Sequence, residues 1–291
     1  MLQFLASATV ALPQILPNAG RLDEWFKRGY HANMEWMLRT AETRKKPKNF
    51  NGQNFNAVWI GLWKYPRPLQ KKHEPVAAYA HGRDYHITIG NVLREKALQV
   101  NGQPFVDSSP IAERELAAMA GLGFIGKNTM LINPKFGSGF FIGGFLLNVD
   151  ICALRATSMH PQNGCTKCRC CIDACPNKAL SEDGFLDSRR CASYLTIEHR
   201  GEFGKEQEEW AKHSIFGCDI CQRVCPYNAK HLAEDEPYFS PDESEWKKKT
   251  IKETPLWRAG TKNLKRNYGN AFFQTSECLP PAALRILAIS G

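Results

Sequence analysis

The sequence has no long hydrophobic run. The longest, Gly139 to Val149, ends at Asp150 and is too short to cross a bilayer, which argues against a membrane-spanning protein. No twin-arginine pair stands near the start, where a folded, cofactor-loaded export substrate carries one. Charge is missing before Arg21. With no basic opening, and with Pro13 and Pro17 interrupting the apolar residues, this stretch does not read as a secretory signal and is expected to be structural. There is no low-complexity segment and no internal repeat apart from two cysteine runs. Acid is scarce: 29 Asp and Glu against 38 Lys and Arg give a formal charge of +9. That excess favours an anionic partner such as a nucleic acid and says nothing about fold. The 291 residues, 43% hydrophobic, suffice for two or three domains with at least one sizeable core.

Cysteine, by contrast, is plentiful. The 11 cysteines are odd in number and mostly at metal-ligand spacing, which favours a reducing compartment over a disulfide scaffold. One run is Cys165-x2-Cys168-x2-Cys171-x3-Cys175-Pro176, the other Cys218-x2-Cys221-x3-Cys225-Pro226, with Cys191 between them. Eight thiolates suit two [4Fe-4S] clusters, and in the two-cluster ferredoxin spacing the fourth cysteine of a run crosses to the other cluster. Cluster one is therefore assigned Cys165, Cys168, Cys171 and Cys225, and cluster two Cys175, Cys191, Cys218 and Cys221. Zinc also uses paired Cys-x2-Cys, but rarely a third cysteine at x2 followed by x3-Cys-Pro. Cys152, Cys170 and Cys278 fit no ligand position.

Residues 22–38 read as a helix with an apolar stripe interrupted at Gly29, and Ala57 to Trp63 as a buried strand. Ser109-Pro110 resembles a helix start, serine as cap and proline first, with Gly121 as the stop. Gly121–Gly126 and Gly137–Gly144 imply tightly packed strands and turns, or backbone lying against a flat ligand. Short cluster-binding loops and helices are expected over 165–232, and a terminal helix over 271–291.

Asp107, just ahead of the predicted helix, is either a turn or capping residue or a general acid. A helix N-terminus would lower its pKa, and burial against an apolar cofactor would raise it. His81 and His86 sit in a dense polar group as structural or substrate-contacting residues. Basic segments 39–72 and 246–266 carry interleaved aromatics, a pattern that suits either RNA phosphates and bases or a solvated face.

Several ordered stretches resemble the epoxyqueuosine reductase family. They are Gly29-Tyr-His-Ala-Asn-Met-Glu-Trp-Met37, Tyr79-Ala-His-Gly-Arg-Asp-Tyr-His86, Val106-Asp-Ser-Ser-Pro110 and Ala120-Gly-Leu-Gly-Phe-Ile-Gly-Lys-Asn128. Phe136-Gly-Ser, Arg190-Cys-Ala-Ser-Tyr-Leu-Thr-Ile-Glu198 and Phe216-Gly-Cys-Asp-Ile-Cys-Gln-Arg-Val-Cys-Pro226 follow. Lys46-Pro47 departs from that pattern, which commonly has an acid before this proline.

The resemblance implies an α+β protein. A cobalamin-binding α/β domain (1–155) would precede a ferredoxin-like two-cluster domain (156–235) and a short helical C-terminal region (236–291). It implies Asp107 as proton donor. The corrin would lie near Leu131 and Ile142, faced by Ser193, Cys218 and Asp219, and tRNA near Arg200. The implied reaction is reduction of the epoxide of epoxyqueuosine to queuosine in a tRNA anticodon loop, with cobalamin fed by the clusters. A cytoplasmic monomer served by an external low-potential electron donor is expected. The rival readings are a corrinoid reductive dehalogenase and a non-enzymatic electron-transfer protein.

Overall fold

The apolar run at Ala57–Trp63 becomes the strand around which the first half is built. The computed structural model describes residues 2–149, 164–233 and 253–273. In chain order the first half comprises β1 (Phe4–Ala11), α1 (Ala19–Lys27), α2 (Glu35–Arg39) and α3 (Ala41–Lys45). A small hairpin of β2 (Asn49–Phe50) and β3 (Gln53–Asn54) leads to β4 (Ala57–Lys64), α4 (Tyr85–Gln99) and β5 (Gln103–Val106). Next come α5 (Glu113–Met119), a second hairpin of β6 (Phe124–Ile125) and β7 (Leu131–Ile132), and β8 (Phe140–Leu147). The main sheet runs β1-β4-β8-β5, every neighbour antiparallel. The apolar start of the chain is thus an edge strand.

Strand periodicity sorts the core into two layers. Val58, Ile60 and Leu62 pack with Phe105, Leu146 and α5 residues Leu116 and Ala117. Ala57, Trp59 and Trp63 pack with Phe141, Phe145 and α4 residues Ile89, Leu93 and Ala97 on the other face. Both faces of β4 are covered, so it reads as a continuous apolar run rather than an alternating one. Tight packing is what the glycines of β8 serve. A Cβ on Gly144 would strike the Trp59 carbonyl and the Phe105 ring.

Two helix limits differ from the sequence expectation. The helix expected over 22–38 is two helices: α1 ends in a Schellman turn, with Gly29 at φ +66 and Tyr30 N–H donating to the Trp25 carbonyl. α5 begins at Glu113, not at Ser109-Pro110, because Asp107 adopts a left-handed φ of +50 and the Ile111 N–H turns back to the Ser109 carbonyl. Its end at Gly121 is as expected.

The second half contains α6 (Cys170–Ala174), α7 (Ala192–Ile197), α8 (Lys205–Ala211) and α9 (Ile220–Arg223). A 3-10 turn at Pro255–Ala259 precedes α10 (Thr261–Phe273). Among the described residues no helix is long and apolar enough to cross a membrane. The expected boundaries at 155/156 and 235/236, most of the terminal helix, Cys152, Cys278 and basic residues 246–252 lie outside the described residues.

The halves are joined by polar clamps as well as by core. Asn228 is fully buried. Its Oδ1 accepts the Ser138 N–H at 2.7 Å, and its Nδ2 donates to the Gln222 carbonyl at 2.8 Å and to Ser138 Oγ at 2.9 Å. Asn228→Ala should cost about 2–4 kcal/mol, because it strands buried partners on both sides. Urea unfolding of the cluster-loaded protein, followed by its visible absorbance, checks this. An unchanged midpoint would show that the clamp contributes nothing.

Candidate active site and cluster loops

The register of the sheet sets the position of Asp107. Val106 pairs with Gly143, so the chain leaves β5 at Asp107 beside Ile142 on β8. Asp107 Oδ2 accepts the Tyr85 hydroxyl at 2.7 Å and His86 Nε2–H at 3.1 Å, and forms an ion pair with Arg258 Nη1. His86 Nδ1–H donates to Asp84 Oδ1 at 2.7 Å, and that same oxygen accepts the His86 backbone N–H at the start of α4. Asp84, His86 and Asp107 form a continuous chain of hydrogen bonds.

Burial pushes the Asp107 carboxyl up, but the His86 hydrogen bond, the Arg258 charge and the Tyr85 hydrogen bond outweigh it. They hold it well below the usual carboxylate range. Burial likewise opposes charge on His86, yet its bonds to Asp107 and Asp84 raise it to about 9. Asp107 is therefore ionised at neutral pH and His86 carries the proton. The Asp107 side chain is still 44% exposed. Water on one side and crowding protein on the others describe the floor of a cleft. On the same floor, burial and the nearby Asp107 charge raise Glu113 to about 8. Glu113 Oε1 is buried without a hydrogen-bond partner among the described residues.

Cys165, Cys168, Cys171 and Cys225 line one cavity of about 240 Å³, with Cys170 also bordering it. Burial, then the neighbouring Cys165 and Cys168, pushes the Cys171 thiol up to about 11. The other four form a second group. Burial raises Cys218 to about 12, with Cys191 and Cys175 among its neighbours. Burial also raises Cys221, with Cys218 and Cys191 adding to the effect. Cys165, Cys171 and Cys225 are buried and the other five half-buried, and the thiols that burial raises would have to surrender their protons to iron as it binds. Gly126-Lys127-Asn128 pins both groups to the first half. Lys127 Nζ donates to the Cys168 carbonyl at 3.0 Å, and Asn128 Nδ2 to the Cys221 carbonyl at 3.3 Å.

The other expected site residues fall in varied settings. Ile142 is half-buried beside Asp107, whereas Leu131 is buried in β7. Ser193 is half-buried in α7, two residues past Cys191. Asp219 is buried, its Oδ2 accepting the Ala78 N–H at 2.6 Å. Arg200 is exposed, but its guanidinium donates to the Ile197 and Arg258 carbonyls at 2.7 and 3.0 Å. His86 joins the site, while His81 is buried away from water and pushed down to about 4, mainly by that burial.

The basic segments are less free than their tallies imply. Lys45 pairs with Asp23 and Glu42, and Arg67 with Glu74. Arg266 holds the Leu195 carbonyl at 3.0 Å and stacks over Phe203. Sequence reasoning missed Arg258 and Glu113. The Arg114-flanked acid at the start of α5 was a readable signal for Glu113. Arg258, 151 residues from Asp107, had none beyond its membership of a basic stretch.

The 4Fe-4S double cluster binding domain family matches residues 164–228. That match makes the second half of the chain a two-cluster iron–sulfur domain. The epoxyqueuosine reductase of Leadbetterella byssophila is 35% identical over 269 residues, spanning 86% of this chain and 87% of that protein. That of Aliivibrio fischeri is 37% identical over 221 residues, 71% of this chain and 58% of its own, and that of Escherichia coli is 35% identical over 240 residues, 76% and 61%. The chain thus spans about three-fifths of the latter two relatives. The structure of the Streptococcus thermophilus epoxyqueuosine reductase is similar at TM-score 0.72 and 26% identity, over 92% of this chain and 77% of that one. An epoxyqueuosine reductase crystallised with an epoxyqueuosine-modified tRNA stem loop shares the fold at TM-score 0.75 and 22% identity, over 98% and 85%. The chain belongs to the epoxyqueuosine reductase family.

Proposed function

We propose that this protein reduces the epoxide of epoxyqueuosine to the alkene of queuosine in a tRNA anticodon loop, as a cytoplasmic enzyme fed by an external low-potential donor. The observation that carries this reading is the proton-loaded Asp84–His86–Asp107 chain on a cleft floor, in a chain that also carries a double-cluster domain. Cysteines 165, 168, 171 and 225 would hold one [4Fe-4S] cluster, and 175, 191, 218 and 221 the other. Leu131 and Ile142 would border a cobalamin, with Ser193, Cys218 and Asp219 on its far side, and Arg200 would lie toward the RNA. When bound, the clusters would supply electrons one at a time and the cobalamin would supply a low-potential metal centre for the reduction.

The protein's own task is the protons. Opening an epoxide to an alkene and water consumes two electrons and two protons. Asp107 starts as a carboxylate: it takes the His86 proton across the 3.1 Å bond and passes it to the oxygen, and His86, reloaded from water, supplies the second proton by the same route. Asp84 holds the imidazole in orientation through its other nitrogen. A splayed, single-stranded loop base suits such a cleft, since a duplex would hide it. Anaerobic reconstitution with iron, sulfide and cobalamin, then nucleoside mass spectrometry of epoxyqueuosine-tRNA, is the test. Clusters without turnover would leave an electron carrier, and turnover of halogenated substrates alone would leave a dehalogenase.

The His86 charge gives a pH signature. Turnover should fall as pH rises through about 9, where His86 loses its proton. His86→Gln should abolish that limb and slow turnover roughly tenfold or more. Its contribution to stability has the same sign. A folded pKa raised above the unfolded value near 6.5 stabilises fully below about 6.5, and that contribution is lost by about 9. A wild-type profile retained in the variant would take His86 out of the mechanism.

A further inference from the structure

Arg258 occupies the carboxylate oxygen that also accepts the Tyr85 hydroxyl and the His86 ring. Its Nη1 sits on Asp107 Oδ2 and only 2.9 Å from His86 Nε2, so two cations share one carboxylate. The groups facing Asp107 come from four places. Tyr85 and His86 belong to α4, Glu113 and Arg114 to α5, and Arg44 to α3, while Arg258 belongs to the 3-10 turn. Of these, Arg258 alone comes from the C-terminal segment. Its backbone is fixed, because Arg200 holds its carbonyl and the Gly260 N–H returns to the Trp257 carbonyl. Its side chain reaches over the cleft with 32% of its surface open to water. Nearby, Lys262 is 85% exposed. An ion pair open to water is weak and exchangeable, whereas a guanidinium meets a phosphate through two parallel hydrogen bonds.

The geometry points to Arg258 as an anion-displaced latch over Asp107: a phosphate of the RNA substrate draws the guanidinium off the carboxylate and opens Asp107 to the reacting oxygen. This deepens, and rests on, the tRNA reading. Without RNA the ion pair keeps Asp107 Oδ2 engaged and its charge neutralised, although 44% of the side chain meets water. With RNA seated, Arg258 grips the backbone, and the proton on His86 has somewhere to go. Arg258 is then a positioning residue, acting through Asp107.

The test uses the cluster-loaded protein, its Arg258→Gln and Arg258→Lys variants, and a readout that needs no turnover. A water-soluble carbodiimide with an added amine labels carboxyls only after they take up a proton, and peptide mass spectrometry quantifies the label on Asp107. Wild type should label slowly and Arg258→Gln about tenfold faster, the change expected for a one-unit rise in proton affinity. Arg258→Lys should fall between them. Inorganic phosphate, small enough to leave Asp107 open, should speed labelling of wild type and leave Arg258→Gln unchanged. With epoxyqueuosine-tRNA, Arg258→Gln should raise KM about tenfold, one lost phosphate contact, while kcat falls far less. Equal labelling in wild type and variant, or no response of wild type to phosphate, overturns the latch even if tRNA turnover is normal. Labelling as expected, but with no turnover or binding of tRNA, overturns the substrate reading and with it RNA as the displacing anion.

Discussion

Asp107→Asn should retain both clusters and its fold yet lose turnover by about 10²–10⁴-fold, the usual worth of a positioned general acid. Asparagine keeps the shape and can still accept the Tyr85 hydroxyl, but it cannot carry a proton from His86 to the cleft. The change also removes the charge that Arg258 and His86 share. Those two cations, 2.9 Å apart, then repel each other, with only Asp84 left to compensate on the far side of the ring. His86 should accordingly titrate below its wild-type value of about 9, which an NMR titration of the imidazole reads independently of catalysis. Iron and cobalamin contents measured alongside separate a chemical defect from an assembly defect. Unchanged single-turnover rates would remove Asp107 from the mechanism.

Cys191→Ala should have the second large effect. Cys191 belongs to neither cysteine run and stands at the N-terminal cap of α7, where burial raises its thiol. Its charge interacts with those of Cys175, Cys218 and Cys221, the group to which it is assigned. Losing one of four ligands should drop iron from about eight to about four per chain, taking two cubanes of four irons each. Cluster one, on the other set of cysteines, should survive with its own spectrum, while electron delivery to the cleft should stop. Iron near eight per chain after this change would show that the ligand assignment is wrong.

What could be read before folding followed the range of the interaction. Thiolate spacing within a run is local and marks the cysteine region, whereas the assignment of four sulfurs to each cluster rests on the crossed-ligand pattern of two-cluster ferredoxins. The buried strand at Ala57–Trp63 declared itself because both its faces are covered. Ser109-Pro110 misled: as a local pattern it is a good helix start, but the left-handed Asp107 and the turn after it spend those residues on aiming a carboxylate. The helix over 22–38 failed at Gly29, whose sign of φ no periodicity reports. The site itself was only half legible. Asp107 and His86 stood in singled-out segments, but their bond joins the start of a helix to the end of a strand. Arg258 was counted as surface charge because nothing local says that a basic residue turns inward.

Beyond the two layers around the sheet, a separate core cluster bears on how such a protein can be divided. It takes Val76 and Ala80 from the first half, Ile197, Ile215 and Phe216 from the cysteine region, and Leu256, Leu264 and Tyr268 from the last segment. Three stretches that look like successive modules therefore share one interior. The ferredoxin-like part is not a cassette that could be exchanged for another electron carrier, nor is the last segment an optional tail. A change of size in any one of the three stretches therefore meets side chains of the other two in that interior, and must be accommodated by all three.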